Sequence, residues 1–423
     1  MSDTTTTTPI RIAIIGGGIA GATLANTLFR IPNLDVQVFE AAPTFSERGA
    51  AVGLAGDAQA ALNHAIPSSK ELLAKAGAVS MNSTRLIIGS GLQAGTIIAD
   101  LHENAENPGL ILHRASLLRE LLAPLSESIL HANKKLESIK ENKDGSLSIT
   151  FKDGTTNQVD AVIGADGIFS SVRNHVLGDA AAEHAASPAG FWDCRVMVPY
   201  EKAKTTLGEE YFDQDRQYGW IGDQAFVMHD IAESRTMVQC VISAVEKESP
   251  EGRKIKLTRE YLNEVLKGWL GRTIGDGAIE LILDQEDPHA YSQYDHKSTP
   301  TYSKGRVCII GDAAHATSPW QGAGVGQAFE DAVVLKTVFE HVLSPHDIVA
   351  AFKAYDALRR PRGQQVIDSS RGTGLILTGT AEGVGLEVAK MRPALGPRWA
   401  FLHLDLDEYK KQAVEKFEDF KGQ

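Results

Sequence analysis

Residues 10–40, IRIAIIGGGIAGATLANTLFRIPNLDVQVFE, open on a nearly unbroken apolar run and close on an alternating one. The run Ile10–Ile15 predicts a strand buried on both faces, as in a parallel sheet. Apolar positions then recur at helical spacing through Leu28, and Val36–Phe39 predicts a second strand. Between strand and helix, Gly16, Gly18 and Gly21 fall at G-x-G-x-x-G spacing. Gly16 allows a tight turn, Gly18 lets a pyrophosphate approach the backbone, and Gly21 lets helix and strand pack closely. The free N–H groups and the positive end of the helix suit an anion. Glu40 ends the second strand, nineteen residues after Gly21. Its carboxylate can accept hydrogen bonds from both ribose hydroxyls, and it would repel a 2′-phosphate. The glycine spacing alone is weak. With strand, helix, second strand and terminal acid in order, it predicts a dinucleotide site.

Further along, residues 47–63 read as a glycine-rich loop running into a helix, 68–77 as helical, and 84–101 as strands with Gly-rich turns. Residues 113–125 predict an amphipathic helix with Arg114 at its start. Residues 129–140 and 145–151 predict strands of a small meander that turns at 143–145. At 159–178 a buried strand runs into Asp166–Gly167 and a helix follows; small polar residues at 179–190 suit a linker. From Phe191 to Val245 the alternation and the aromatics predict an antiparallel sheet carrying a substrate site. A charged turn at 246–254 leads to a helix at 258–270. Residues 305–343 repeat the strand, Gly-Asp, Gly-rich loop and helix order; 348–373 continue as helix and 385–423 form a helical end. The fold class is therefore α/β, Rossmann-like. The dinucleotide domain is split into 10–178 and 300–370, an antiparallel-sheet substrate domain is inserted at 179–299, and a helical tail fills 371–423.

Composition narrows the function. A chain of 423 residues is too long for one small core. Its net charge of −12 disfavours nucleic acid and anionic membrane surfaces. No run of about eighteen apolar residues predicts a membrane span. The start MSDTTTTTP reads as a short disordered tail and not as a signal peptide, so the expected location is cytoplasmic. Cys194, Cys240 and Cys308 are widely spaced, which predicts buried thiols and no metal site. Oligomeric state is left open.

Three spaced motifs resemble those of the FAD-dependent aromatic-ring monooxygenases with a single dinucleotide fold, salicylate hydroxylase-like members above all. They are Gly16–Gly21 with Glu40, the segment GADGIFSSVR at 164–173, and the segment GDAAHATSPWQGAGVG at 311–326. The resemblance covers at least residues 10–370. It implies that Glu40 binds the adenosine ribose, that Gly53 contacts FAD through its backbone, and that Arg114 opens a helix near the flavin chain. It further implies that Asp166 is tied to FAD and NAD(P)H, that Asp312 binds a ribityl hydroxyl, and that Gly322, Gly324 and Val325 lie beneath the isoalloxazine ring. Asp312 follows a buried strand, where a carboxylate needs partners, and ribityl hydroxyls qualify. Capping the next helix is the plainer role for Asp312, a surface ion pair for Arg114, and a turn-holding bond for Asp166. His315 is read as ordering its loop.

The chain has one complete G-x-G-x-x-G unit, which favours transient NADH or NADPH over a resident second nucleotide. The implied reaction uses NAD(P)H and dioxygen to hydroxylate a small phenolic or aromatic-acid substrate, salicylate-like, through a flavin hydroperoxide. Arg195 is the candidate for facing phenolate or carboxylate, with the sheet's solvent face as its other placement. Where many relatives carry tyrosine-proline, this chain reads AFVMHDIAES, so His229 becomes a candidate base or donor, or else an ordinary strand histidine. Trp192, Tyr211, Phe212, Tyr218, Trp220 and Phe226 can line a planar site or fill the core. Two other readings are a same-fold hydroxylase or epoxidase of secondary metabolism, and a non-catalytic binding protein that keeps the flavin fold.

Overall fold

Ile10–Ile15 lies inside a six-stranded sheet. The strand order is Ser303–Lys304, Val307–Ile309, Ala161–Gly164, Ile10–Ile15, Leu34–Phe39 and Leu130–His131. Every neighbouring pair is parallel except the Ser303–Lys304 edge. The computed structural model describes residues 8–46, 50–102, 108–269 and 273–423. The N-terminal tail, the start of the 47–63 loop and the end of the 258–270 helix therefore fall partly or wholly outside the described residues. Ile12, Ala13 and Ile14 are fully buried, as a central parallel strand requires. Helix Ile19–Leu28 packs beside helix Gly324–Phe339, and both share the core of this sheet. One expected strand divides. Leu130–His131 joins the parallel sheet, and the meander consists of Leu136–Glu141, Leu147–Phe151 and Thr156–Val159.

The second large sheet has eight strands, ordered Lys254–Lys256, His289–Asp295, Ser187–Pro199, Met237–Val245, Ala225–Ala232, Gln217–Gly222, Ser83–Ile88 and Ile97–His102. All pairs are antiparallel but one, Gln217–Gly222 with Ser83–Ile88. Its last two strands come from the stretch that the sequence assigned to the dinucleotide domain, because a parallel pair can join segments far apart in the chain. Both faces of the sheet are covered. One carries a core with helices Tyr200–Leu207, Arg259–Val265 and Thr273–Leu283, of which only the second was expected. The other faces Trp320, Ile376, Met391 and Leu395, and farther along Ala51 and Ile111. Strand Ala51–Leu54, also unforeseen, pairs with Gly109–His113 in a small separate sheet. Helices Ile348–Leu377 and Leu406–Lys421 pack together over the dinucleotide side. Among the described residues no helix is long and apolar enough to cross a membrane. None of their His, Cys, Asp and Glu side chains form a group that could hold a metal ion. The three cysteines are buried and free.

Candidate active site

The glycine-rich turn has the close approaches that its spacing predicts. Gly16 has φ +108°, and a Cβ there would lie 2.3 Å from the Ala165 carbonyl oxygen. A Cβ on Gly21 would lie 2.0 Å from the Gly16 oxygen, so only glycine fits. Gly18 caps helix Ile19–Leu28 without a side-chain bond, which leaves the helix's first N–H groups open. Glu40 brackets the turn: its carboxylate accepts from the Gly17 N–H at 2.7 Å and from the Ala42 N–H at 2.7 Å. Each oxygen keeps a second lone pair.

The other two motifs are tied to this turn and to each other. A Cβ on Gly311 (φ +55°) would lie 2.7 Å from the Ala20 Cβ, so the Gly311–Asp312 turn docks on the first helix. The Gly311 N–H donates to Asp331 at 2.8 Å, His315 Nε2 pairs with the same Asp331 oxygen at 2.8 Å, and Arg359 Nε donates to the other at 2.7 Å. Burial pushes the Asp331 carboxyl up, but His315 and Arg359 outweigh it and hold the group well below the usual carboxylate range. His315 thus orders its loop. Arg173, at the end of the second motif, donates to the Ala313 and Ala314 carbonyls at 3.0 Å each and to Thr299 at 2.6 Å. Burial lowers its guanidinium to about 10. Its role in joining the second and third motifs was not read from the sequence.

Asp166 caps helix Ser171–Leu177, accepting from the Ser170 hydroxyl and from the Ser171 and Val172 N–H groups at 2.7 and 3.2 Å. Burial raises its carboxyl, and these bonds oppose the rise. Both of its oxygens serve the helix start, through bonds that reach farther along the chain than an Asx-type turn. Asp312 is exposed and has no hydrogen-bond partner among the described residues. Gly322 adopts φ +64°, and Gly324 opens helix Gly324–Phe339 with no side-chain cap. Val325 is half-buried against the core. A Cβ on Gly326 would lie 3.1 Å from the Ala58 Cβ, so this helix closes on helix Gly56–Ala65. Gly53 sits in strand Ala51–Leu54 opposite Ile111, and Arg114 opens helix Arg114–Leu122, its N–H bonded to Ala50 O at 3.1 Å.

The register of the eight-stranded sheet decides which side chains share a face. Arg195 pairs with Val241, which pairs with Met228; Met197 pairs with Gln239, which pairs with Asp230. These six share one face with Phe191 and Phe226. Trp320, two residues before Gly322, stands edge-on over Phe191 (centroids 5.0 Å apart) and Phe226 (5.9 Å). The loop that leads to Gly322 therefore meets this face on one flank, and Ala51 meets it on the other. Arg195 Nε donates to Asp193, and the two terminal nitrogens have no partner among the described residues. Asp193 raises the guanidinium further and keeps it charged.

His229 must be corrected as a site residue. It lies on the opposite face, fully buried, stacked between Phe212 (centroids 5.0 Å apart) and Tyr218 (5.3 Å), with Trp220 at 5.5 Å. Burial pushes its imidazole down to about 4, so it is neutral at physiological pH. The residue that does face Arg195 is its neighbour Asp230, which sequence reasoning passed over. Burial raises the Asp230 carboxyl to about 6 against the pull of Gln217, Gln239 and Arg195. Of the six aromatics, Phe226 lies on the face of Arg195, whereas Trp192, Phe212, Tyr218 and Trp220 belong to the core on the other side and Tyr211 packs against it.

The description of one protein family, the FAD binding domain, matches residues 74–370. The chain is 33% identical over 425 residues to a 6-methylsalicylate 1-monooxygenase of Aspergillus terreus, covering 97% of this chain and 93% of that protein. It is 30% identical over 379 residues to a salicylate hydroxylase of Pseudomonas putida, covering 86% and 85%. A solved salicylate hydroxylase in complex with its substrate superposes with a TM-score of 0.82 at 25% identity, covering 96% and 98%. The chain belongs to the FAD-dependent aromatic-ring monooxygenases. Its residues fit the flavin that this monooxygenase uses. Two uncapped helix N-termini, a glycine turn that admits no Cβ and a partnerless exposed carboxylate at Asp312 are what a phosphate-bearing, hydroxyl-rich cofactor needs. Asp312→Ala should weaken FAD affinity about tenfold or more, with little change in apo-protein stability, because no protein bond is lost. Flavin titration of the stripped protein checks this; unchanged affinity would remove Asp312 from the site.

Proposed function

We propose that this monooxygenase hydroxylates a small phenolic or aromatic-acid substrate, salicylate-like, with NADH or NADPH as transient reductant and dioxygen as co-substrate, in the cytosol. The observation that carries the reading is Arg195. Its guanidinium is held by Asp193 through Nε, and its unpartnered terminal edge lies on the sheet face that Trp320 flanks. That edge matches a carboxylate or a phenolate. Bound FAD supplies the transfer of electrons from NAD(P)H and the activation of dioxygen. The chain's own part is to hold and orient. Gly16, Gly18, Gly21 and Glu40 would receive the adenosine and pyrophosphate. Asp312 would receive the ribityl chain, and Gly53, Gly322, Gly324 and Val325 the ring. Arg114 and Asp166 would act from the helix starts that they open and cap. Phe191, Phe226 and Trp320 make the part of this face beside Arg195 apolar.

A second reading is a neutral phenol, as a same-fold hydroxylase of secondary metabolism would take. Two acids on the face of Arg195, Asp193 and Asp230, favour it, because they offset the charge that a substrate carboxylate would need. The test is a panel of aromatic acids and orcinol-type phenols scored for stimulated NAD(P)H consumption, with products identified. Stimulation by salicylates supports the first reading and by carboxylate-free phenols the second. If no aromatic compound stimulates a flavin-loaded protein, both fail.

A further inference from the structure

A chain of hydrogen bonds with a buried centre crosses four strands of the eight-stranded sheet and ends on strand Ala51–Leu54. The Thr84 hydroxyl donates to Gln217 Oε1 at 3.3 Å, and Gln217 Nε2 donates to Asp230 Oδ1 at 2.7 Å. From the other side, the Ala51 N–H donates to Gln239 Oε1 at 2.9 Å, and Gln239 Nε2 donates to Asp230 Oδ2 at 3.1 Å. Asp230 and Gln239 are each 2% exposed. The directions are fixed by chemistry. A backbone N–H can only donate, so Gln239 must turn its oxygen to Ala51 and its amide nitrogen to residue 230. Residue 230 then has to accept from Gln239, and an ionised carboxylate also accepts from Gln217 on its other oxygen. A flipped amide anywhere on the Ala51 side would bury two donors face to face, and unmet buried groups are costly.

The place where this chain ends matters. Ala51 begins the strand that contains Gly53, and its neighbour Ala50 holds the N–H of Arg114. The middle of the chain, Gln239 and Asp230, shares the face of Arg195, with Gln239 on the adjacent strand opposite Met197. We propose that Asp230 and Gln239 are positioning residues, which set the spacing between the flavin-side strand Ala51–Leu54 and the substrate floor that carries Arg195. The proposal rests on the reading of that face as the substrate floor. Positioning errors of about 1 Å can cost on the order of a hundredfold in rate, so a dedicated spacer at this junction has a large effect to protect.

The polarity makes a sharp test possible. Gln239→Glu sets two carboxylates against each other. In the double variant Asp230→Asn/Gln239→Glu the directions reverse. The new amide at 230 donates to the new carboxylate at 239, still accepts from Gln217, and the Ala51 N–H still finds an oxygen. All four bonds return with net charge unchanged. FAD-loaded wild type, single and double variants are compared by amide hydrogen exchange over residues 50–54 and by product formed per NAD(P)H consumed. The single variant should lose protection at 50–54 and drop product yield about tenfold, and the double variant should recover both to near wild type. A single variant that behaves as wild type in either measure overturns the proposal. So does a double variant no better than the single. Where the single variant fails to hold FAD, the double decides: recovery supports the proposal and failure overturns it. A wild-type protein inactive on every aromatic tested would instead sink the substrate reading, and the exchange measurement would still decide whether the chain holds the strand.

Discussion

Arg359→Ala should cost about 3–5 kcal/mol of folding stability, the loss expected when one member of a buried ionic cluster is removed. Arg359 is fully buried, 28 residues from Asp331 in sequence and adjacent to it in space. It donates to Asp331 at 2.7 Å, to Glu330, and to both the backbone and side-chain oxygens of Gln327 at 3.0 and 2.9 Å. Alanine would leave Glu330 with Arg362, which already bonds it at 3.2 Å, but Asp331 only with His315 and the Gly311 N–H. The Asp331 carboxylate would then be buried and undercompensated. Because the same carboxylate holds the Gly311–Asp312 turn, flavin affinity should fall together with stability. Arg359→Lys keeps a charge but not the planar fork, and should lie between wild type and alanine. Denaturant unfolding of FAD-loaded and stripped protein reads both effects. A loss under about 1 kcal/mol would show that the cluster is dispensable.

The contrast between that cluster and the glycine-rich turn explains what the sequence could disclose. The turn is local: strand Ile10–Ile15, the helix through Leu28 and a strand ending at Phe39 all lie where the apolar pattern puts them. Gly16 and Gly21 meet backbone atoms that no Cβ could tolerate, as their spacing implies. The Arg359 cluster and the Arg173 tie join residues from distant segments, and no periodicity announces them. The misplacement of His229 has a different reason. Alternation marks a strand's faces only when one face meets water. Here both faces are covered, so the pattern does not tell them apart: sequence reasoning picks His229 and passes over Asp230, although a shift of one residue separates the aromatic core from the face of Arg195. Helix Tyr200–Leu207 was hidden among aromatics that read as strand, and strand Ala51–Leu54 among glycines that read as loop.

Arg195→Ala should raise the KM for substrate by roughly 30- to 150-fold, the equivalent of about 2–3 kcal/mol for a lost charged hydrogen-bond partner. The side chain is about one-third exposed, and among the described residues its hydrogen-bond partner is Asp193. FAD occupancy should therefore stay at the wild-type level. Removing it leaves Asp193, whose side chain is 15% exposed, without its partner, but truncation to alanine opens the carboxylate to water, so the melting temperature should shift little. Arg195→Lys returns a cation without the two parallel donors. It should recover part of the affinity for a phenolate and less for a carboxylate, which needs the fork. That difference makes the pair of variants a probe of substrate chemistry as well as of the residue. If alanine weakens aromatic acids and carboxylate-free phenols equally, the arginine acts as a general field and not as a clamp. If alanine leaves KM unchanged and lowers only thermal stability, Arg195 is a structural partner of Asp193, and the substrate must be held elsewhere on the face that Trp320 flanks.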